Sequence, residues 1–327
     1  MNPGENAPVA TKIRHAPTLL SIDAGHEGQR IDNFLFTALK GVPRSLIYRL
    51  LREGQVRVNK GRIKPVYRLR SGDVVRIPPL RRGESETPPP TNAARERLAA
   101  AILYEDDDLL AIDKPAGFAV HGGSGVANGV IEVARALYPD CPEIALVHRL
   151  DRATSGCLLL AKRRTVLLEL QELFKKGGVE KHYLALVQGA WKGGDRTVRA
   201  ALEKNRLQSG ERMVRVAEVG KAADTRFRPV ERFGAASLME IRLGTGRMHQ
   251  IRVHATHIGH PIAGDEKYGD AAFNRVVRGY GLRRLFLHAS RLSWQRPGKA
   301  PQSVEAPLPA ELAAVLERLR GLGGGAR

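Results

Sequence analysis

The sequence predicts an α+β protein of two domains, a small basic one over residues 20–82 and a large one over residues 98–321. Three observations carry this reading. Residues 83–97, GESETPPPTNAARER, place three consecutive prolines in a polar setting and read as a semi-stiff linker. Before that break, two runs of helical periodicity give way to short strand-like runs. After it, apolar strand-like runs recur around polar loops. Residues 1–19 and 322–327 lack periodicity and are expected to be flexible tails.

Charge narrows the classes. Lys and Arg number 53 against 34 Asp and Glu, a net of +19 over 327 residues. Such an excess repels itself and calls for an anionic partner, a nucleic acid or an anionic membrane surface. No run approaches the ~20 apolar residues of a membrane-spanning helix. The first twenty residues hold no apolar segment before a small-residue cleavage site, so no secretory signal is expected. Cys141 and Cys157 stand outside any CxxC pair, which excludes a zinc ribbon and fits a reduced, cytoplasmic protein.

The small domain carries most of the charge. Residues 28–82 hold 14 Lys and Arg against 3 Asp and Glu. Ile31, Phe34, Leu35, Ala38 and Leu39 form one apolar helical stripe, and Gly41 is placed to end it. Ser45 can cap a second helix running to Glu53, stopped by Gly54. At about 100° per residue, Leu46, Ile47, Leu50 and Leu51 fall on one side of that helix. Arg44, Tyr48, Arg49 and Arg52 fall on the other. Val56–Val58, a turn at Asn59-Lys60-Gly61, and Asp73–Ile77 read as short strands. A one-sided basic face with one aromatic points to nucleic acid, the alternative being a merely solvated face.

The large domain opens with strand-like Ala101–Tyr104 and Leu109–Ile112, followed by Asp113-Lys114-Pro115-Ala116-Gly117. Later a polar loop, His148 to Gly156, lies between apolar Leu146-Val147 and Cys157–Ala161. Asp151 is thus tethered on both sides by buried sheet, which suits a rigid group at a cleft edge. It could equally pair with Arg149 or Arg152 and cap a turn.

Two resemblances bear on these choices. Residues 30–79, RIDNFLFTALKGVPRSLIYRLLREGQVRVNKGRIKPVYRLRSGDVVRIPP, resemble an S4 domain, a small RNA-binding module. HRLDRATSG, residues 148–156, resembles the HRLDxxTSG signature of the RluA family of RNA pseudouridine synthases. The tyrosine strand EKHYLALV (180–187), GRMHQIRVH (246–254), GHPI (259–262) and LFLHA (285–289) follow in family order. Met248 stands where the family has Thr. Residues 119–125, 129–132 and 207–216 resemble the branch of the family that acts on 23S ribosomal RNA of the large subunit.

The resemblance implies a small S4 (αL-like) domain and a pseudouridine synthase domain built on a mixed, mainly antiparallel β-sheet with flanking helices and loops. It implies that Asp151 is catalytic, either attacking C1′ or removing a sugar proton. It implies that Tyr183 stacks on the base, although a tyrosine in Tyr-Leu-Ala-Leu-Val could be a plain sheet residue. Arg252 becomes the cation that keeps Asp151 ionised. Arg149, by strand alternation, would face RNA, as would Arg44, Arg49 and Arg52. The partner is 23S ribosomal RNA or a large-subunit assembly intermediate, with no membrane, and the protein is expected to act as a cytoplasmic monomer. Uridine and pseudouridine are isomers, so no cofactor and no metal are expected.

Other readings compete. A glycosidase-like enzyme needs two carboxylates, and Asp265-Glu266 reads as a surface turn. A metal hydrolase could draw on His249, His254, His257 and His260, but no HExxH spacing is present. A ribosome-assembly protein without activity would explain the charge but not the set of site-like loops.

Overall fold

A computed structural model describes residues 17–39, 42, 44–79, 88–122, 127–206 and 212–323. The chain divides into two compact units, Met1–Pro88 and Pro89–Arg327.

The first unit runs β1 (Thr18–Ser21), α1 (Ile31–Ala38), α2 (Arg44–Arg52), β2 (Arg57–Val58), β3 (Gly61–Arg62) and β4 (Val74–Ile77). Its antiparallel sheet has the order β1-β4-β2-β3. Ile31, Phe34 and Leu35 of α1 and Ile47, Leu50 and Leu51 of α2 are buried in one cluster with Val58, Val75 and Ile77. Tyr48, Arg49 and Arg52 on the opposite face of α2 are exposed. Asn59 and Lys60 both take positive φ, 48° and 67°, the pairing that a two-residue hairpin turn requires. Asn59 is held there by Asp73, which accepts from its Nδ2 at 2.8 Å.

Three expectations shift in this unit. Thr18 and Leu19, placed in a tail by the sequence, belong to β1. Four residues are too few to display alternation, and what orders them is the edge of β4. Ser45 lies inside α2, one residue past its start, rather than at its cap. Gly41 falls outside the described residues.

The second unit runs α3 (Asn92–Ala99), β5 (Ile102–Glu105), β6 (Leu109–Lys114), α4 (Val130–Leu137), β7 (Ala145–Leu146), β8 (Ser155–Ala161), α5 (Arg164–Lys176) and β9 (Val179–Gln188). It continues with β10 (Arg196–Arg199), β11 (Leu202–Arg206), β12 (Arg212–Val216), β13 (Asp224–Arg232), β14 (Ala236–Leu243), α6 (Gln250–His257), α7 (Ala271–Gly279), β15 (Leu287–Trp294), β16 (Gln302–Glu305) and α8 (Ala310–Gly323). α3 begins inside the stretch read as linker. Thr91 caps it by accepting from the Ala94 amide at 3.2 Å, and Leu98 buries itself in the core. α8 extends two residues into the expected C-terminal tail.

A ten-stranded mixed sheet organises this unit, in the order β10-β13-β14-β9-β15-β8-β6-β5, with β16 beside β15 and β7 beside β8. β8 and β15 pair in parallel and the other neighbours are antiparallel. β8 is buried on both faces. Leu158 and Leu160 pack toward α4, and Cys157, Leu159 and Ala161 toward α5. That explains its continuous apolar run. Gly156 is required where β8 meets β15: its φ is 110°, and a Cβ there would lie 2.1 Å from the Ala289 carbonyl oxygen. Ser155 ties the same strands, with its Oγ 3.0 Å from His288 Nδ1. Cys141 and Cys157 are both free. Among the described residues no helix is long and apolar enough to cross a membrane.

Candidate active site

Asp151 sits in the loop between β7 and β8, and that loop is laced to the one after β6. The Gly117 amide donates to the Arg152 carbonyl at 2.8 Å, and Arg152 Nε donates back to the Gly117 carbonyl at 2.9 Å. Lys114, fully buried at the end of β6, donates from one Nζ to the carbonyls of Pro115 (3.0 Å), Phe118 (2.9 Å) and Arg152 (3.3 Å). Burial pushes its pKa down to about 7, against the opposing pull of the Asp151 charge. The Asp151 backbone is therefore fixed, while its side chain stays 22% exposed.

α6 supplies the facing wall. His249 caps it in a left-handed conformation, φ 54°, and stands three residues before Arg252, on the same side of the first turn. Arg252 Nη1 lies 3.6 Å and His249 Nε2 3.8 Å from Asp151 Oδ2. The rest of the guanidinium is committed elsewhere. Arg252 Nε and Nη2 donate to the two oxygens of Asp265 at 2.7 and 2.8 Å, and its Cζ lies 4.9 Å from the centre of the Tyr268 ring. Burial alone would lower the Arg252 pKa, but the hydrogen bonds to Asp265 and the carboxylate charges raise it.

This corrects the reading of Asp265 as part of a surface turn. The residue is 2% exposed. It also accepts from the Lys267 and Tyr268 amides at 2.9 and 3.0 Å. Burial would raise its pKa, and the bonds from Arg252 outweigh that and hold it low. The carboxylate reaches Arg252 through a loop, a contact that no local pattern in GDEKYG announces.

Tyr268 links the two sides. Its hydroxyl accepts from the Val214 amide at 2.9 Å and lies 2.8 Å from His249 Nδ1. The Tyr268 hydroxyl thus bridges the Val214 amide and the His249 ring, whose other nitrogen, Nε2, is turned toward Asp151. Burial holds the His249 pKa low despite the Asp151 charge.

Tyr183 completes the set. It is buried on β9 and lines the same cavity as Asp151, His249 and Arg252, a space of about 650 Å³. Its hydroxyl has no hydrogen-bond partner among the described residues. Burial, then the Asp151 charge, push its pKa upward, so the phenol stays neutral. Leu243, Ile251 and Leu287 add apolar wall, and Lys204 and Arg247 add cations. His148, Phe174, Lys175 and Lys181 form another part of the wall.

Of the residues singled out in the sequence, Asp151, Tyr183, Arg252 and Arg149 line one cavity. Arg149 is exposed in the loop rather than in a strand, so alternation does not set its direction. Arg49 and Arg52 are exposed on α2 of the other unit. Arg44 opens that helix, and its side chain is outside the described residues. The four histidines disperse. His249 meets Tyr268, His254 bonds Thr225 and the Ala200 carbonyl, and His260 bonds the Gln188 carbonyl. No group of three potential metal ligands occurs among the described residues.

Comparison with known proteins places this geometry. Residues 108–257 match the RNA pseudouridylate synthase family and residues 29–75 the S4 domain. The ribosomal large subunit pseudouridine synthase C of Salmonella typhi is 53% identical over 92% of this chain and 96% of its own length. The chain belongs to the RNA pseudouridylate synthase family. The synthase C of Escherichia coli strain K12 is 52% identical over the same shares of both chains, and that of Pasteurella multocida strain Pm70 is 50% identical over 94% and 95%. Among solved structures, human RNA pseudouridylate synthase domain containing 4 is 27% identical, with a TM-score of 0.58 over 70% of this chain and 96% of that one. Met248 of this synthase packs with Leu202, Val214, Ala223 and Val253, so its departure from the family's Thr bears on packing beside the site.

Proposed function

We propose that this synthase converts uridines of 23S large-subunit ribosomal RNA to pseudouridine, with Asp151 as the catalytic carboxylate. The observation that carries the reading is the approach of Arg252 and His249 to Asp151 in a cavity shared with Tyr183. The high identity to enzymes named for the ribosomal large subunit supports the choice of RNA.

A uridine stacked in RNA must first be extruded into the cavity. The N1–C1′ bond then breaks, the base turns, C5 joins C1′, and one proton leaves C5 as one is gained at N1. No atoms enter or leave. Asp151 serves at C1′ or at an adjacent sugar proton, with the Arg252 guanidinium 3.6 Å from its carboxylate as the partner cation. The buried, neutral ring of Tyr183 gives the detached base a surface to turn against. Asp265 is buried with both oxygens accepting from Arg252, which argues against a glycosidase's second carboxylate role for it.

The S4 unit supplies affinity. Arg44, Arg49 and Arg52, with Arg149 at the cavity mouth, neutralise phosphates. We assign residues 20–82 to RNA binding and 98–321 to chemistry. The protein acts as a cytoplasmic monomer on free 23S RNA or an assembling subunit. The test is pseudouridine mapping in cells lacking the protein and in cells complemented with it. Loss of modification at large-subunit uridines, restored on complementation, is expected. Loss confined to other RNAs would overturn the substrate.

A further inference from the structure

One buried cation in the cavity has no ionic partner among the described residues. Lys181 stands on β9 two residues before Tyr183, so both side chains project from the same face of the strand. It is 6% exposed, yet it lines the cavity that holds Asp151. Its ammonium has no hydrogen bond and no carboxylate partner among the described residues. The contact it does make is with an aromatic face: Nζ lies 5.9 Å from the centre of the Phe174 ring. The neighbouring acid, Glu180, is engaged with Arg242 and His182. Beside Lys181, His148 stays neutral, because its burial and the Lys181 charge push its pKa down to about 3.

A buried ammonium without a counter-charge is unfavourable, and burial lowers its pKa accordingly. An anionic ligand would supply the missing counter-charge. Here the ligand is an RNA nucleotide, whose anionic group is its phosphodiester. Same-face positions on a strand repeat at roughly 6.6–6.8 Å, comparable with the separation of a nucleotide's base from its own phosphate. A base stacked on Tyr183 can therefore present a phosphate to Lys181 across that spacing.

We propose that Lys181 binds a phosphodiester attached to the target uridine inside the cavity, pinning the backbone while the base turns on Tyr183. This rests on the pseudouridine reading above. The role differs from that of the exposed arginines, because the contact forms only once the nucleotide has been extruded.

The test combines a protein change with an RNA change. The substrate is a ribosomal RNA fragment on which the parent enzyme is active. Its phosphodiester 5′ or 3′ to the target is replaced, one at a time, by a neutral methylphosphonate. Lys181→Met keeps the apolar stem and should fold at least as stably as the parent, checked by thermal unfolding. It is expected to raise KM roughly 10- to 100-fold, to lower the salt slope of binding by about 0.7, and to leave the saturated rate within a few-fold. Lys181→Arg should restore most of the affinity. One methylphosphonate position should weaken the parent by a similar factor and leave Lys181→Met unaffected.

Additive losses at both linkages would overturn the assignment. So would an unchanged KM with a lost saturated rate and a missing acid limb in the pH profile, which would make Lys181 a base. Absence of parent activity on every uridine tested would sink the pseudouridine reading itself, and this proposal with it.

Discussion

The two units use arginine in opposite ways. On α2, Arg49 and Arg52 are exposed and have no ionic partner among the described residues. In α6, Arg252 is buried, bound through two nitrogens to Asp265 and turned toward Asp151 with a third. Exposed charges act at a distance, are screened by salt, and add. Buried charges act by position, and removing one strands its partners. On the proposed function, affinity and chemistry are separable, and the variants below put that separation at risk.

The largest effect is expected from Asp151→Asn. The change keeps the shape and removes the charge, so the single-turnover rate should fall by roughly 10³-fold or more, with RNA affinity within a few-fold of the parent. A rate within tenfold of the parent would end the assignment.

Arg252→Met comes next. The saturated rate should fall about 10²- to 10³-fold, and the large unit should lose about 3–5 kcal/mol because Asp265 is left buried without its cation. Adding Asp265→Asn should recover stability but not rate. If it recovers both, Arg252 serves the fold alone and the contrast between the units collapses.

The basic face is weaker by design of its exposure. Replacing Arg44, Arg49 and Arg52 together by Gln should flatten the slope of log affinity against log salt by about 2–3 units. Circular dichroism should report an unchanged fold, and the rate on saturating RNA should hold. An unchanged slope means the face is only solvated.

The smallest effect concerns protons. His148 accepts from the Leu159 amide at 3.0 Å and stacks on Phe174 at 4.7 Å. Its pKa near 3 lies below the unfolded value of about 6.5. Between those values the unfolded chain binds a proton that the folded one does not, so stability falls as pH drops through that window, by at most ~1.4 kcal/mol per pH unit. The ring keeps some surface exposure, so the slope should be shallower. His148→Gln retains an acceptor and should show a flatter stability curve between pH 6.5 and 4. Equal slopes would show that His148 does not set it.

What could be read from the sequence follows the range of the interactions. α1, α2 and the strands around HRLDRATSG announce themselves because period and turn chemistry are local. Asp151, Tyr183 and Arg252 are found through motif resemblance, and the structure brings all three to one cavity. What escapes is long-range. Asp265 looks like a turn because its partner lies thirteen residues away on a helix. Tyr268 and Lys114 show no pattern, since their work is to bridge loops. Thr18 and Leu19 look like tail because β1 borrows its order from β4. α3 hides behind prolines that stiffen a chain as readily as they precede a helix.

The pairing of β8 with β15, made possible by Gly156, has a consequence for how the protein is made. It joins Ser155 to His288, positions far apart in sequence. A chain growing from its N-terminus completes the sheet of the first unit by Ile77, and units of this size fold as they emerge. The strand that anchors the Asp151 loop must wait for its neighbour until almost the whole polypeptide exists. The nascent molecule thus carries a finished S4 module long before the strand beneath the Asp151 loop meets its last neighbour.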